Sequence, residues 1–292
     1  MSKLIACLST EMPWLSFEEF KVLCRAFASG LEPSQFYMCF PPVSPTRKYL
    51  ESRSDWRTQA ETLSQKCEDL KIEILYPGHS SYPTCFFELP DPPLFLSVLG
   101  QLPSSEMRGL AIVGSREPSR LTVDWLQDEL PLVLKNSALT VISGGARGVD
   151  QRAHRAALLA GRPTFVFLPS GLENFYPREL ISWRSEVLEA GGAFLSELAL
   201  QCEMKKHHFI HRNRLIAALA RLVFVVEARR KSGSLLTADT ALKIGRPLCA
   251  LPGAPLVTGS QGTTDLLFMG AFPIRDAYDL ITLFEISAPR SS

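Results

Sequence analysis

The stretch Thr140–Ala160, TVISGGARGVDQRAHRAALLA, decides the fold. Thr140, Val141 and Ile142 are β-branched and suit a short buried strand. Gly144, Gly145 and Gly148 then permit a turn with backbone conformations and close approaches that a Cβ would block. Asp150 favours the start of a helix whose small face is Ala153, Ala156, Ala157 and Ala160. A Gly-rich strand-to-helix turn presents free N–H groups at the positive end of a helix dipole, which suits phosphate. Arg147 adds a charge that an ordinary turn does not need. The turn nearly matches G-x-G-x-x-G, with Ser143, Gly145 and Gly148 at the glycine positions. A dinucleotide site also wants an acid at the end of the next strand. Here Thr164–Leu168 runs into Pro169, Ser170 and Gly171, and Glu173 is displaced. A P-loop is excluded, because the chain contains no Gly-Lys-Ser/Thr. Taken alone, the turn is equally consistent with a βα connection that holds no ligand.

Outward from this stretch, apolar strands alternate with helical segments. Strands are expected at Leu110–Val113, Thr140–Ile142, Thr164–Leu168, Ala193–Leu195, Leu222–Glu227 and Leu248–Leu251. Helices are expected at Leu121–Leu134, Asp150–Ala160, Pro177–Glu189, Arg212–Ala220 and Ser234–Ile244. This pattern implies a doubly covered, mostly parallel α/β sheet over residues 69–288. Pro90, Pro92 and Pro93 fix an extended approach to a further apolar run, Leu94–Leu99. Residues 1–68 read as a separate, small, mostly helical domain. Phe17, Phe20, Val22, Leu23, Ala26 and Phe27 give one helical pattern ending at Gly30, and a second helix is expected over Arg47–Leu70.

Composition sets outer bounds. The chain has 292 residues, 46% hydrophobic and 21% charged, with a formal net charge of +1. Charge is unevenly placed: Glu203–Lys231 holds eight Lys/Arg and two Glu, a net of +6 that leaves −5 elsewhere. The seven cysteines form no C-x-x-C pattern, which points to reduced thiols and a cytoplasmic protein. Lys3 and the apolar run after it are followed too soon by Ser9, Thr10 and Glu11 for a signal peptide. Leu215–Val226, interrupted by Arg221, is too short for a membrane span.

In parallel α/β sheets, ligands gather outside the carboxyl ends of the strands. Five successive strand ends here carry Arg or Lys beside Gly or Ser. They are Gly114-Ser115-Arg116, the Ser143–Gly148 turn, Gly171 with Tyr176-Pro177-Arg178, Ser196-Glu197 followed by Lys205 and Lys206, and Glu227 followed by Arg229–Ser234. Together they describe one rim suited to phosphates. His207 and His211 share a helix face as zinc ligands do, but no cysteine or carboxylate follows at ligand spacing, so no metal is assigned. His208 and Phe209, between Lys205, Lys206, Arg212 and Arg214, better suit the wall of a groove that tracks phosphates and stacks bases. Phe209 alone reads equally as a core aromatic. Ser143, Ser196, Ser232 and Ser234 lack a G-x-S-x-G elbow, and no nucleophile–base pair stands out. Glu197 and Glu227 are candidates for buried salt bridges to arginine.

The ordered series GLAIVGSR, VISGGARGVDQRAH, GLENFYPREL, AFLSEL, HHFIHRNRLIAAL, VVEARRKSGSLLTADTAL and LPGAPLVTGSQGTTDLLFMGAF resembles the DNA-processing protein A (DprA/Smf) family. The upstream YPGHSSYP and LPDPPLFLSVLG are similar to it too, so the likeness spans about Ile72–Asp279. The resemblance implies an extended Rossmann-like domain that binds single-stranded DNA, dimerises and loads the RecA recombinase in natural transformation, with no cofactor and no catalysis. It also implies DNA contacts at Arg116, Ser143, Gly144, Arg147, Arg178, Lys206, Phe209, Arg212, Asn213 and Arg214. The rim adds Ser115, Gly145, Lys205 and Ser234.

Two departures from the family pattern stand out. His211 directly precedes Arg-Asn where many members carry another residue, and only twelve residues follow Leu280, too few for the winged-helix domain of many members. A second function class is a nucleotide-binding enzyme or sensor of the lysine-decarboxylase-like phosphoribohydrolase group. Its P-G-G-x-G-T turn is not matched, since Pro252-Gly253 continues as Ala254-Pro255. A homodimer is expected around Leu248–Leu251 and Leu266–Ile274, where Leu266, Leu267, Phe268, Met269 and Phe272 form an apolar run near an expected sheet edge.

Overall fold

A computed structural model of the chain describes residues 12, 15–31, 33–52, 56–104, 106–254 and 257–287. Among these, nine strands form one mixed sheet: β1 (Ile72–Leu75), β2 (Leu96–Gly100), β3 (Gly109–Val113), β4 (Thr140–Ser143), β5 (Thr164–Phe167), β6 (Ala193–Ser196), β7 (Leu222–Val225), β8 (Leu248–Ala250) and β9 (Phe272–Pro273). Their spatial order is β1-β2-β6-β5-β4-β3-β7-β8-β9. All pairs from β6 to β9 are parallel, while β1–β2 and β2–β6 are antiparallel. This is a mostly parallel, doubly wound α/β sheet of the Rossmann-like kind. Every residue of β3 to β8 is buried, as strands covered on both faces must be.

Helices α1 (Phe17–Ala28), α2 (Pro45–Ser52) and α3 (Trp56–Asp69) precede the sheet. Met12, Phe20, Leu23, Phe36 and Leu50 pack into an apolar cluster of their own, touched by Tyr76 and Leu94. The last part of α3 packs instead with the sheet: Cys67 and Leu63 join the cluster of Ile72, Ile74 and Leu99. The expected helix over Arg47–Leu70 is thus seen as α2 and α3, with residues 53–55 outside the described residues. Phe27 lies within α1, but its side chain is outside the described set.

One face of the sheet is covered by α4 (Arg120–Asp128), α5 (Leu130–Lys135), α6 (Val149–Leu159) and, after the sheet, by α11 (Ala277–Ile286). The single helix expected over Leu121–Leu134 is two, because Pro131 has no N–H and starts a new first turn. Ala153 and Ala157, both fully buried, let α6 lie close to the sheet. After α7 (Arg184–Glu189), the other face carries α8 (Lys206–Leu219) and α9 (Gly233–Lys243). Pro177–Glu189, expected as one helix, is a 3-10 turn over Arg178–Trp183 followed by α7.

The sheet edge differs from expectation. β8 is covered by β9, so Leu248–Leu251 is not an edge. After α10 (Gln261–Phe268), Leu266 and Ile274 are buried under their own domain, while Phe268, Met269 and Phe272 are exposed, Phe268 at 95%. β9 is two residues long and ends in Pro273, which cannot donate to a neighbouring strand.

Candidate nucleic-acid interface

β3 lies at the topological switch point, with β4 on one side and β7 on the other, so the loops leaving these strands diverge. A cleft of about 380 Å3 opens there. The loop after β3 brings Ser115 and Arg116, the β4 turn Ala146 and Asp150, the loop after β7 Arg229 and Ser232–Ser234, and α8 brings Phe209, Arg212 and Asn213.

Two glycines make the walls. A Cβ at Gly148 would strike the carbonyls of Ser115 and Arg116, and its φ of +87° is one that other residues avoid. The β3 and β4 loops therefore touch backbone to backbone, with Val149 N donating to Ser115 O at 3.1 Å. A Cβ at Gly144 would overlap the Arg212 guanidinium. Arg212 is 5% exposed, runs beneath the turn and donates to Phe167 O at 3.2 Å. Burial lowers its pKa to about 10, opposed by nearby Asp150. Asp150 is buried too and accepts from Gly144 N at 3.2 Å and Ala146 N at 3.4 Å. Burial raises its pKa, and Arg212 opposes that rise. His154 completes this buried polar layer. Its Nδ1 lies 2.6 Å from Thr164 Oγ1, and burial, then Arg212, hold its pKa down to about 3.

Above this layer, Arg116 stacks on the Phe209 ring, its guanidinium carbon 4.9 Å from the centroid; that of Arg212 lies at 5.9 Å. Tyr176 meets the same ring edge-on at 5.9 Å. Arg116 is exposed and has no carboxylate in ion-pair contact among the described residues. Asn213 donates to Gly233 O at 3.1 Å, and Ser234 Oγ donates to Gly114 O at 2.9 Å, so both tie α9 into the cleft wall.

The structure thus brings Ser115, Arg116, Phe209, Arg212, Asn213 and Ser234 into one cleft. Arg147, Arg178, Lys205 and Lys206 are exposed but do not line it. Arg147 is paired with Glu179 at 2.9 Å. Several expectations are corrected. Ser143 is fully buried and donates to Ile112 O at 2.6 Å, so its hydroxyl holds the turn. Gly144 and Gly145 are buried, and Gly144 N is taken by Asp150. Arg214 forms ion pairs with Asp91 at 2.8 Å and Glu197 at 2.7 Å, which makes it a brace. His208 turns inward against Pro169 O rather than forming the cleft wall. Among the described residues Glu227 pairs with no arginine. It accepts from Ser119 N at 2.9 Å, Ser119 Oγ at 2.5 Å and Thr122 Oγ1 at 2.7 Å, at the start of α4. Arg229, Tyr176 and the Asp150 anchor were not singled out from the sequence as site residues. Arg229 and Tyr176 stood among the rim residues of the sequence, and Asp150 was read only as a helix start. His207 and His211 do share a face of α8, with rings 6.2 Å apart. Among the described residues no group of three or more His, Cys, Asp or Glu could hold a metal ion, and no helix is long and apolar enough to cross a membrane.

Residues 73–285 match the family described as DNA recombination-mediator protein A. The chain belongs to that family. It is 34% identical over 252 residues to Protein Smf of Escherichia coli, covering 86% of this chain and 63% of that one. The chain spans about half to two thirds of the length of such curated relatives. The X-ray structure of DNA processing protein A (DprA) from Streptococcus pneumoniae superposes with a TM-score of 0.78 at 27% identity, covering 97% of each chain. DNA processing protein A from Helicobacter pylori, whose structure is described for a unique single-stranded DNA binding mode, superposes at 0.64 with 29% identity over 75% of this chain and 98% of that one.

Proposed function

We propose that this family member binds single-stranded DNA non-catalytically in the cleft at the β3 switch point and hands it to the RecA recombinase, without a cofactor. One observation carries the reading: the Phe209 ring lies close to two guanidiniums, 4.9 Å from that of Arg116 and 5.9 Å from that of Arg212, in a cleft edged by Gly and Ser. An aromatic ring for base stacking beside an exposed cation, here Arg116, for phosphate is what sequence-tolerant single-strand binding uses. The binding mode named for the Helicobacter pylori relative supports it. Delivery to RecA rests on the family's description as a recombination mediator. The contacts proposed are Arg116, Ser115, Phe209, Asn213 and Ser234 in the cleft, with Arg147, Arg178, Lys205 and Lys206 on its approaches. We further infer a homodimer through the exposed face of Phe268, Met269 and Phe272.

The test is a fluorescence titration with labelled oligothymidylate, duplex of equal length and free nucleotides at one salt concentration. Tight, length-dependent binding to the single strand and much weaker binding to duplex is the expected result. Preference for a free nucleotide would favour a small-molecule sensor instead. Light scattering at micromolar protein tests the dimer, and a monomer mass removes it.

A further inference from the structure

We propose that the crevice between α4, α5 and α6 docks an acidic peptide segment of a partner protein, anchored by one apolar side chain. The crevice encloses about 360 Å3. Leu126, Pro131, Ala156 and Leu159 form its apolar surface, and Lys135, Arg152 and Arg155 stand around it. Among the described residues, no acidic side chain lines it. Arg155 pairs with Glu186, whereas Lys135 and Arg152 have no carboxylate in ion-pair contact among the described residues. Leu159 is 75% exposed, at the end of α6, where the fold itself makes little use of it.

The charge pattern selects the occupant. In a chain of net charge +1, two cations without an ion pair among the described residues and no acid lining an aliphatic crevice complement an apolar residue flanked by carboxylates. A nucleic-acid strand fits less well, because no aromatic ring lines the crevice to stack a base. The crevice and the cleft share α6, whose start at Asp150 lines the cleft and whose later turns line the crevice, but α8 and the crevice lie on opposite faces of the sheet. The crevice sits in the helical layer packed on Leu110, Ile112 and Val141, whereas α8 packs on the opposite face. The proposal holds that peptide and DNA bind at once, and it rests on the crevice's own lining rather than on the DNA-binding reading.

Fluorescence anisotropy tests this with a fluorescein-labelled peptide of aspartates and glutamates around a single phenylalanine, added to the full chain. Binding that weakens with salt is expected, and it is lost when the phenylalanine is replaced by alanine or the acids by lysines. Lys135→Glu with Arg152→Glu should weaken binding by about tenfold or more, and Leu159→Asp should do the same through the apolar half of the site. Melting temperature and oligothymidylate affinity should stay at parental values in these variants. The proposal falls if the peptide does not bind, if both variants bind it as the parent does, or if oligothymidylate displaces it. It falls equally if the double variant loses oligothymidylate binding or self-association, since the crevice would then serve nucleic acid or a second copy.

Discussion

The two ends of the parallel strands carry similar charge and treat it in opposite ways. At the amino end, Arg108, Arg162, Arg221 and Arg246 each stand one or two residues before a strand. All four are spoken for. Arg162 donates to Leu134 O and Arg246 to Ala218 O, meeting the unpaired carbonyls of α5 and α8 where a cation also suits the helix dipole. Arg108 and Arg221 stack on Phe284, at 5.2 and 5.1 Å, and Arg108 also pairs with Glu285. At the carboxyl end, Arg116 and Arg229 face a cleft, and neither has a carboxylate in ion-pair contact among the described residues. A count of cations does not distinguish these ends; the partner of each cation does.

The largest expected effect breaks the simple form of this comparison, because it lies at the carboxyl end yet concerns stability. Arg214→Ala leaves the mostly buried Glu197 without its partner, and its pKa is already raised by burial. Removing one member of a fully buried pair destabilises by about 3–5 kcal/mol, and this mostly buried pair should lose somewhat less. Urea unfolding should show this loss, while the fraction that stays folded binds oligothymidylate as the parent does. Unchanged stability with impaired binding would return Arg214 to the DNA-contacting set.

Arg116→Ala should do the reverse. Affinity for oligothymidylate is expected to fall about ten- to a hundredfold, the worth of a charge-assisted hydrogen bond. The slope of log affinity against log salt should shrink by about 0.7 for each phosphate of the single strand that the variant no longer neutralises. The melting temperature should hold, since Arg116 braces neither Glu197 nor Glu227. Phe209→Ala is expected to lose about 1–3 kcal/mol of binding through stacking, with the slope nearly unchanged. Because Arg116 lies on the Phe209 ring, the double variant should lose less than the two single losses added together. Full additivity would separate the guanidinium from the ring in the bound state.

The fold was more legible than the site. Strands β3 to β8 are continuous apolar runs, and their length and spacing announce them. β1 and β9 escaped: Ile72–Leu75 carries a Glu, and Phe272–Pro273 is too short to show a period. The first turns of α8 escaped as well, because His207, His208 and Phe209 are weak helix formers and the start rests on the Lys205–His208 capping interaction. In the site, residue type named the cations but not their partners. Asp91 lies 123 positions from Arg214, and nothing local relates them. Ser143 looked like a turn hydroxyl because its acceptor, Ile112 O, belongs to the neighbouring strand. Such pairings are made by packing and have no counterpart in spacing.

A smaller effect tests the amino end. Arg246→Ala removes the hydrogen bond to Ala218 O and the 3.0 Å pair with Glu88. It should lower stability by about 1 kcal/mol and leave oligothymidylate affinity and its salt slope untouched. Reduced affinity would mean that the amino end also serves nucleic acid, and the contrast between the two ends would dissolve.

The smallest effect has the opposite sign and is the sharpest test of the idea that partners decide. Arg147 leaves the Gly-rich turn exposed, but Glu179 holds it at 2.9 Å. Its hydrogen bond to Arg147 keeps the Glu179 carboxyl below its usual range, so the pair is intact at neutral pH. A cation held this way is partly masked toward phosphate. Glu179→Gln removes the mask without removing the cation. Affinity for oligothymidylate should rise a few-fold, no more, because exposed pairs are weak and screened by salt. The salt slope should steepen as Arg147 becomes free to meet a phosphate. In the Glu179→Gln background, Arg147→Ala should then cancel both changes. If Glu179→Gln leaves affinity and slope as in the parent, Arg147 lies off the path of the strand, and its pairing with Glu179 only shapes the turn.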